Sequence, residues 1–123
     1  MFVDDDEDIR NLVQSSVEKE LNIPIEIAIF DNGEAAVKDS LETKYDLVIT
    51  DYQLPGISGL ELIDQIRRSK TNKTVPIIFI SGFFAKKEIT ERYEDLENVL
   101  FINKPFEVSK LARKIRILLF SKY

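Results

Sequence analysis

Short apolar runs alternate with longer amphipathic stretches along the 123-residue chain, the pattern of a parallel sheet with helices on its faces. Phe2-Val3 is a very short first strand that runs straight into a cluster of acids. Residues 6–21 then space Ile9, Leu12, Val13, Val17 and Leu21 as one face of a helix. In residues 25–30 the period changes to two, with Ile25, Ile27 and Ile29 set against Glu26, Ala28 and Phe30. That alternation predicts a strand with one more exposed face, at a sheet edge. Asp31-Asn32-Gly33 marks a turn, and 33–42 reads as a second helix carrying Ala36, Val37 and Leu41. Leu47-Val48-Ile49 is a buried central strand that stops at Thr50-Asp51. The loop Leu54-Pro55-Gly56 leads into a helix over 58–69 with Leu60, Ile63 and Ile66 inward. Residues 75–80 form the next strand, with Pro76 tolerated near its start. A polar helix over 86–95, a strand over 99–102 and a last helix over 107–120 complete the series.

Strict alternation of five strands and five helices implies right-handed crossovers and a doubly wound α/β sheet. Ligands bind such sheets beyond the carboxyl ends of the strands. The residues there are Asp4 and Asp5 after the first strand, Asp51 after the third, Ser81 after the fourth and Lys104-Pro105 after the fifth. Each alone has an ordinary explanation as a helix-favoured acid, a turn residue or a solvated lysine. Together on one edge they form a single constellation.

Composition narrows the chemistry that edge can do. The chain has no Cys and no His, which removes disulfides, thiolate nucleophiles, imidazole bases and the usual zinc, copper and haem ligands. Carboxylates, hydroxyls, lysine and a hard cation remain. Residues 1–51 carry a balance of −10 and residues 52–123 a balance of +5, for a net charge of −5. An acidic chain of this kind does not suit direct binding of nucleic acid. No apolar run reaches the length of a membrane span, which points to a cytoplasmic protein. Asp4, Asp5 and Asp51 would crowd three carboxylates that repel one another unless a cation intervenes, and Mg²⁺ suits such a set. A carboxylate held there can attack phosphorus and become an aspartyl phosphate. Mg²⁺, the Lys104 ammonium and the Ser81 hydroxyl would then share the charge of the transferring phosphoryl group.

These residues resemble the receiver domains of bacterial two-component response regulators over nearly the whole chain. The carriers are Val3-Asp4-Asp5, Asp51-Tyr52-Gln53-Leu54-Pro55-Gly56-Ile57-Ser58-Gly59, Ile80-Ser81-Gly82 and Lys104-Pro105-Phe106, in that order and spacing. The resemblance implies a flavodoxin-like sheet of order 2-1-3-4-5, with Asp51 as phosphoacceptor. It makes Asp5 a direct Mg²⁺ ligand, Asp4 a ligand acting mainly through water, and the main-chain carbonyl of Gln53 a third protein ligand. Ser81 matches the family's switch hydroxyl, Phe101 its aromatic switch position and Lys104 its lysine, joined to Pro105 by a cis bond. Phe83, two residues beyond Ser81, matches a position flanking the attacking water, where its bulk would slow loss of the phosphoryl group. The first strand is shorter than is usual in the family, and Phe101 has no hydroxyl, so a switch there works by packing alone.

The same resemblance implies a signalling module rather than an enzyme, with only self-catalysed acceptance and slow autodephosphorylation. Residues 1–123 read as a single receiver domain with no output domain in this chain. A sensor histidine kinase or histidine phosphotransfer protein would dock near Ile9, Leu12 and the 55–58 loop. A downstream target or a second copy would use the surface of 86–120, where Ile117 and Phe120 project beside Lys110 and Arg113. Three other readings compete. An aspartyl phosphatase of the haloacid-dehalogenase type needs an acid where Gln53 stands. A flavodoxin-like nucleotide or flavin module needs a Gly/Ser/Thr-rich loop where five acids stand. A degenerate receiver would act as a phosphorylation-independent binding module despite retaining every acceptor-site group.

Overall fold

The computed structural model describes residues 1–82, 85–92 and 98–120. Among these, the strands are β1 (Phe2–Val3), β2 (Ile29–Phe30), β3 (Val48–Asp51), β4 (Ile77–Ser81) and β5 (Val99–Asn103). The helices between and after them are α1 (Glu7–Leu21), α2 (Gly33–Ser40), α3 (Gly59–Arg68), α4 (Ala85–Arg92) and α5 (Val108–Phe120). All strand pairs are parallel and the order is β2-β1-β3-β4-β5, as the resemblance implied.

Side chains along the strands alternate between two cores because successive residues of a strand point to opposite faces. Val3, Val48, Ile77, Phe79 and Val99 turn to one side, where they meet Ala36 of α2, Leu60, Leu62, Ile63 and Ile66 of α3 and Ile89 of α4. Phe2, Ile49, Ile78, Ile80 and Ile102 turn to the other, against Val13, Val17 and Leu21 of α1 and Leu111, Ala112, Ile115 and Leu118 of α5. Each face of the sheet is covered, which leaves the strand ends as the natural place for polar chemistry. No helix among the described residues is long and apolar enough to cross a membrane.

Helix starts are set by side-chain caps that satisfy free amides of the first turn. Asp6 accepts from the amides of Asp8 and Ile9 at the head of α1. Asn32 accepts from Ala35 at α2, and Ser58 from Glu61 at α3. Asn22 closes α1 in the left-handed conformation at φ 57°, its N–H bonded to the Glu18 carbonyl.

Several expectations need correction. Residues 25–28 are not strand, since β1 offers only Phe2 and Val3 for pairing, opposite Ile29 and Phe30. The alternation of 25–30 recorded burial rather than pairing, for Ile25, Ile27 and Ile29 still pack their side chains against the α1/α5 core. Leu12 lies off the α1 stripe and is 42% exposed, because the line Ile9, Val13, Val17 and Leu21 already fills the face. Leu41 caps α2 instead of extending it and is 57% exposed, while Ser40 is the buried residue there. The polar helix expected over 86–95 runs from Ala85 to Arg92, and 93–95 lie outside the described residues.

These placements make a stability contrast. Ile63→Ala, at a fully buried α3 position, should cost about 3 kcal/mol. Leu12→Ser should stay within about 0.5 kcal/mol of the parent. Urea unfolding of both variants checks the assignment of the α1 core stripe, which fails if Leu12→Ser costs as much as Ile63→Ala.

Candidate functional site

The carboxyl ends of β1, β3, β4 and β5 deliver Asp4, Asp51, Ser81 and Lys104 to one edge of the sheet. Asp4 is fully buried beyond β1 and Asp5 is exposed beside it. One Asp4 oxygen, Oδ1, accepts the Asp6 amide at 2.9 Å, so the start of α1 fixes its direction. Arg10 folds back from α1 to donate to the Asp4 carbonyl at 2.9 Å, which pins the corner between β1 and α1. Asp51 is the last residue of β3 and is buried. Its Oδ1 accepts the Gln53 amide at 3.1 Å and its Oδ2 accepts the Lys104 ammonium at 2.6 Å. The same ammonium lies 3.4 Å from Asp4 Oδ2. The Lys104 N–H donates to the Ser81 carbonyl at 3.0 Å, and the Lys104–Pro105 bond is cis.

Behind Asp51 the backbone is tightly seated. The Gly59 N–H donates to the Tyr52 carbonyl at 2.9 Å and closes the loop that follows β3. A Cβ at Gly59 would stand 2.1 Å from the Asp51 carbonyl oxygen, so this position admits no side chain without moving the backbone of Asp51.

Among the described residues, carboxylate oxygens of Asp4, Asp5 and Asp51 all fall within 4.8 Å of one another. Burial pushes the Asp4 carboxyl above the ordinary aspartate range, and the Asp51 charge adds to this against the opposing Asp6 amide and Lys104. Partial burial works to lower the Lys104 pKa, but the Asp51 hydrogen bond and the charges of Asp4 and Asp51 outweigh it and hold the ammonium above its usual value. Three carboxylates facing one ammonium are a hard-oxygen donor set with negative charge in excess, which fits Mg²⁺ or another hard divalent cation. Ser81, 1% exposed, points a hydroxyl without a hydrogen-bond partner among the described residues. An orphaned buried hydroxyl has a desolvation cost that a ligand oxygen would relieve.

The structure thus gathers Asp4, Asp5, Asp51 and Lys104 at the edge where the sequence put them, with Ser81 on the adjoining strand end and Gln53 at the mouth. Phe101 stands apart. It pairs with Phe79 two register positions below Ser81–Asn103 and stacks on that ring with centroids 6.4 Å apart. Phe83 lies outside the described residues. Sequence reasoning missed Arg10, the only base among residues 1–18, and Glu34, whose Oε1 accepts the Ile57 amide at 3.1 Å. It also missed a hydrogen bond from the Tyr52 hydroxyl to Glu88 that joins the residue after Asp51 to α4. Arg10 carried a visible signal, a lone cation in an acidic run; the other two did not.

A parallel sheet of order β2-β1-β3-β4-β5 with helices on both faces is a flavodoxin-like fold, here with a carboxylate cluster and a lysine at its carboxyl edge. Residues 1–116 match the family model described as response regulator receiver domain, and the chain belongs to that family. Receiver domains are signalling domains of two-component systems that interact with histidine kinases and downstream effectors. Response regulator ArlR of Staphylococcus saprophyticus is 31% identical over 121 residues, covering 97% of this chain and 51% of that protein. Transcriptional regulatory protein ResD of Bacillus subtilis is 35% identical over 121 residues, 97% of this chain and 47% of its own length. The chain therefore spans about half the length of these curated relatives. In fold it matches the receiver domain of Francisella response regulator 1452 with a TM-score of 0.80 at 21% identity, covering 99% and 96% of the two chains. The receiver domain of the Pseudomonas aeruginosa sensor histidine kinase PA1611 matches with a TM-score of 0.73 at 21% identity, covering 96% and 94%. That structure carries a magnesium ion in its active site cleft.

Burial of Asp4 makes a pH-dependent stability test. Its folded pKa is raised, so the folded state holds the Asp4 proton more tightly than the unfolded chain does. Stability is therefore lost as pH rises from the ordinary value of 3.8 through the raised one. In EDTA, Asp4→Asn should raise the melting temperature at neutral pH, with the gain shrinking as pH falls toward 3.8. A gain that grows on acidification would reverse the assigned sign.

Proposed function

We propose that this domain accepts a phosphoryl group on Asp51 from a phosphohistidine of a sensor histidine kinase or a histidine phosphotransfer protein. The observation that carries this reading is the Lys104 ammonium at 2.6 Å from Asp51 Oδ2, with the Asp4 and Asp5 carboxylates gathered around the same atom group. An Asp51 carboxylate oxygen attacks phosphorus, the P–N bond breaks with its electron pair passing to the imidazole nitrogen, and an acyl phosphate forms on Asp51. A carboxylate nucleophile needs no general base, so a chain without histidine is suited to the step. The Lys104 ammonium takes up charge on one equatorial phosphoryl oxygen, and the Ser81 hydroxyl, which has no partner among the described residues, donates to another.

The Asp4, Asp5 and Asp51 carboxylates and the Gln53 carbonyl would hold Mg²⁺. When bound, the ion would offset the carboxylate charge and polarise the phosphoryl oxygens. Ser81 then acts as the switch hydroxyl and Phe101 as the aromatic that repacks with it, so that the state of Asp51 reaches the surface of 86–120. That surface contacts a downstream protein or a second copy, with Ile117 and Phe120 exposed at 46% and 45% on its α5 part. In this reading residues 1–123 work as one receiver domain in the cytoplasm, and Asp51 loses its phosphoryl group slowly to water.

Intact mass after incubation with acetyl phosphate tests the reading. A gain of one phosphoryl group is expected with Mg²⁺ and not with EDTA or in Asp51→Asn. A folded wild-type protein that gains nothing from acetyl phosphate or from its own kinase would instead be a phosphorylation-independent binding module.

A further inference from the structure

We propose that Glu34 is a positioning residue for phosphoryl acceptance, holding the loop between β3 and α3 in the shape that presents Gln53 beside Asp51. The proposal rests on the reading of Asp51 as the acceptor.

An acid in the first turn of a helix is ordinarily explained by the helix dipole and points to water. Glu34 does something more specific. Its Oε1 crosses from α2 to accept the Ile57 N–H at 3.1 Å, in the middle of the loop that Tyr52 and Gly59 close at its base. Gly56 lies at φ +77° under the same carboxylate, and a Cβ there would stand 2.4 Å from Glu34 Oε1. The fit runs the other way too. The Ile57 side chain packs on the backbone of Gly33, where a Cβ would stand 2.5 Å from Ile57 Cγ1. Two glycines each make room for a side chain from the opposite segment, and the Glu34–Ile57 hydrogen bond fastens the pair.

The consequence for the acceptor follows from chain connectivity. Gln53 is four residues before Ile57 in the same loop, and its N–H already bonds to Asp51 Oδ1 at 3.1 Å. Its carbonyl is the main-chain oxygen assigned to the cation. Loss of the Glu34 contact leaves the loop held at its base, by the Gln53–Asp51 hydrogen bond and by the half-buried Leu54 and Ile57, so the Gln53 carbonyl is held less tightly relative to the three carboxylates. Glu34 is exposed, so its removal should disturb this loop more than global stability.

The test uses the full chain with Glu34→Ala and Glu34→Gln, the latter keeping an oxygen acceptor while removing the charge. Four quantities are measured: amide exchange at Ile57 and Gln53 by NMR, the Mg²⁺ dissociation constant by titration, the acetyl phosphate reaction by intact mass, and the melting temperature as a control for global stability. Glu34→Ala should speed exchange at Ile57 and weaken Mg²⁺ binding about fivefold, the order expected for one lost hydrogen bond. It should slow phosphoryl gain while the melting temperature barely moves, and Glu34→Gln should restore the other three readouts. Unchanged Mg²⁺ affinity in Glu34→Ala overturns the proposal, as does a Glu34→Gln variant that behaves like the alanine. A wild-type protein that neither binds Mg²⁺ nor gains mass overturns the acceptor reading itself, and the positioning role with it.

Discussion

Three carboxylates share one end of a sheet with a single ammonium, and much of the molecule serves to keep them there. Two like charges about 4 Å apart repel by about 4 kcal/mol at the effective dielectric of a protein surface. A flexible chain would relieve that repulsion by moving apart. Here Asp4 is fixed by the Asp6 amide and buried at the end of β1, while Asp51 is fixed by the Gln53 amide and Lys104 at the end of β3. Neighbouring parallel strands set the spacing between them. The crowding is thus imposed by backbone pairing, and Lys104 alone cannot neutralise it.

The two cores explain why the strands can carry that load. β3 and β4 are buried on both faces, with Val48 and Phe79 turned to one core and Ile49 and Ile78 to the other. Neither strand can shift along its axis without exposing apolar side chains on both sides of the sheet. The site inherits this rigidity through Asp51 and Ser81, the last residues of β3 and β4. In α4, Ile89 is the buried residue among the described side chains, and a Tyr52–Glu88 hydrogen bond ties the helix to the residue that follows Asp51.

The sequence made the sheet legible because apolar runs and acids at strand ends are local signals. Asp4, Asp51 and Lys104 could be brought together on paper once the alternation of elements was read. The cis Lys104–Pro105 bond came from the family resemblance and is present. The extent of β2 was misread because pairing depends on a neighbouring strand, and period-two burial persists in Ile25 and Ile27 without it. Leu12 and Leu41 were misread because an apolar residue near a helical stripe need not be on it. Glu34 and Tyr52 were invisible for a different reason. Their partners lie 23 and 36 residues away, and no periodicity connects a first-turn acid to a loop amide or a tyrosine to a distant glutamate.

The reciprocal packing of Gly33 with Ile57 and of Gly56 with Glu34 has a consequence for how this chain can vary. Positions 33 and 57 share one volume, and positions 34 and 56 share another, although more than twenty residues separate the members of each pair. Substitutions at 33 and 57 will not combine additively, since a side chain at 33 needs a smaller residue at 57, whereas Gly56 at φ +77° resists a side chain whatever stands at 34. The permitted sequences of the second helix and of the acceptor loop are therefore not independent, and each segment constrains the history of the other.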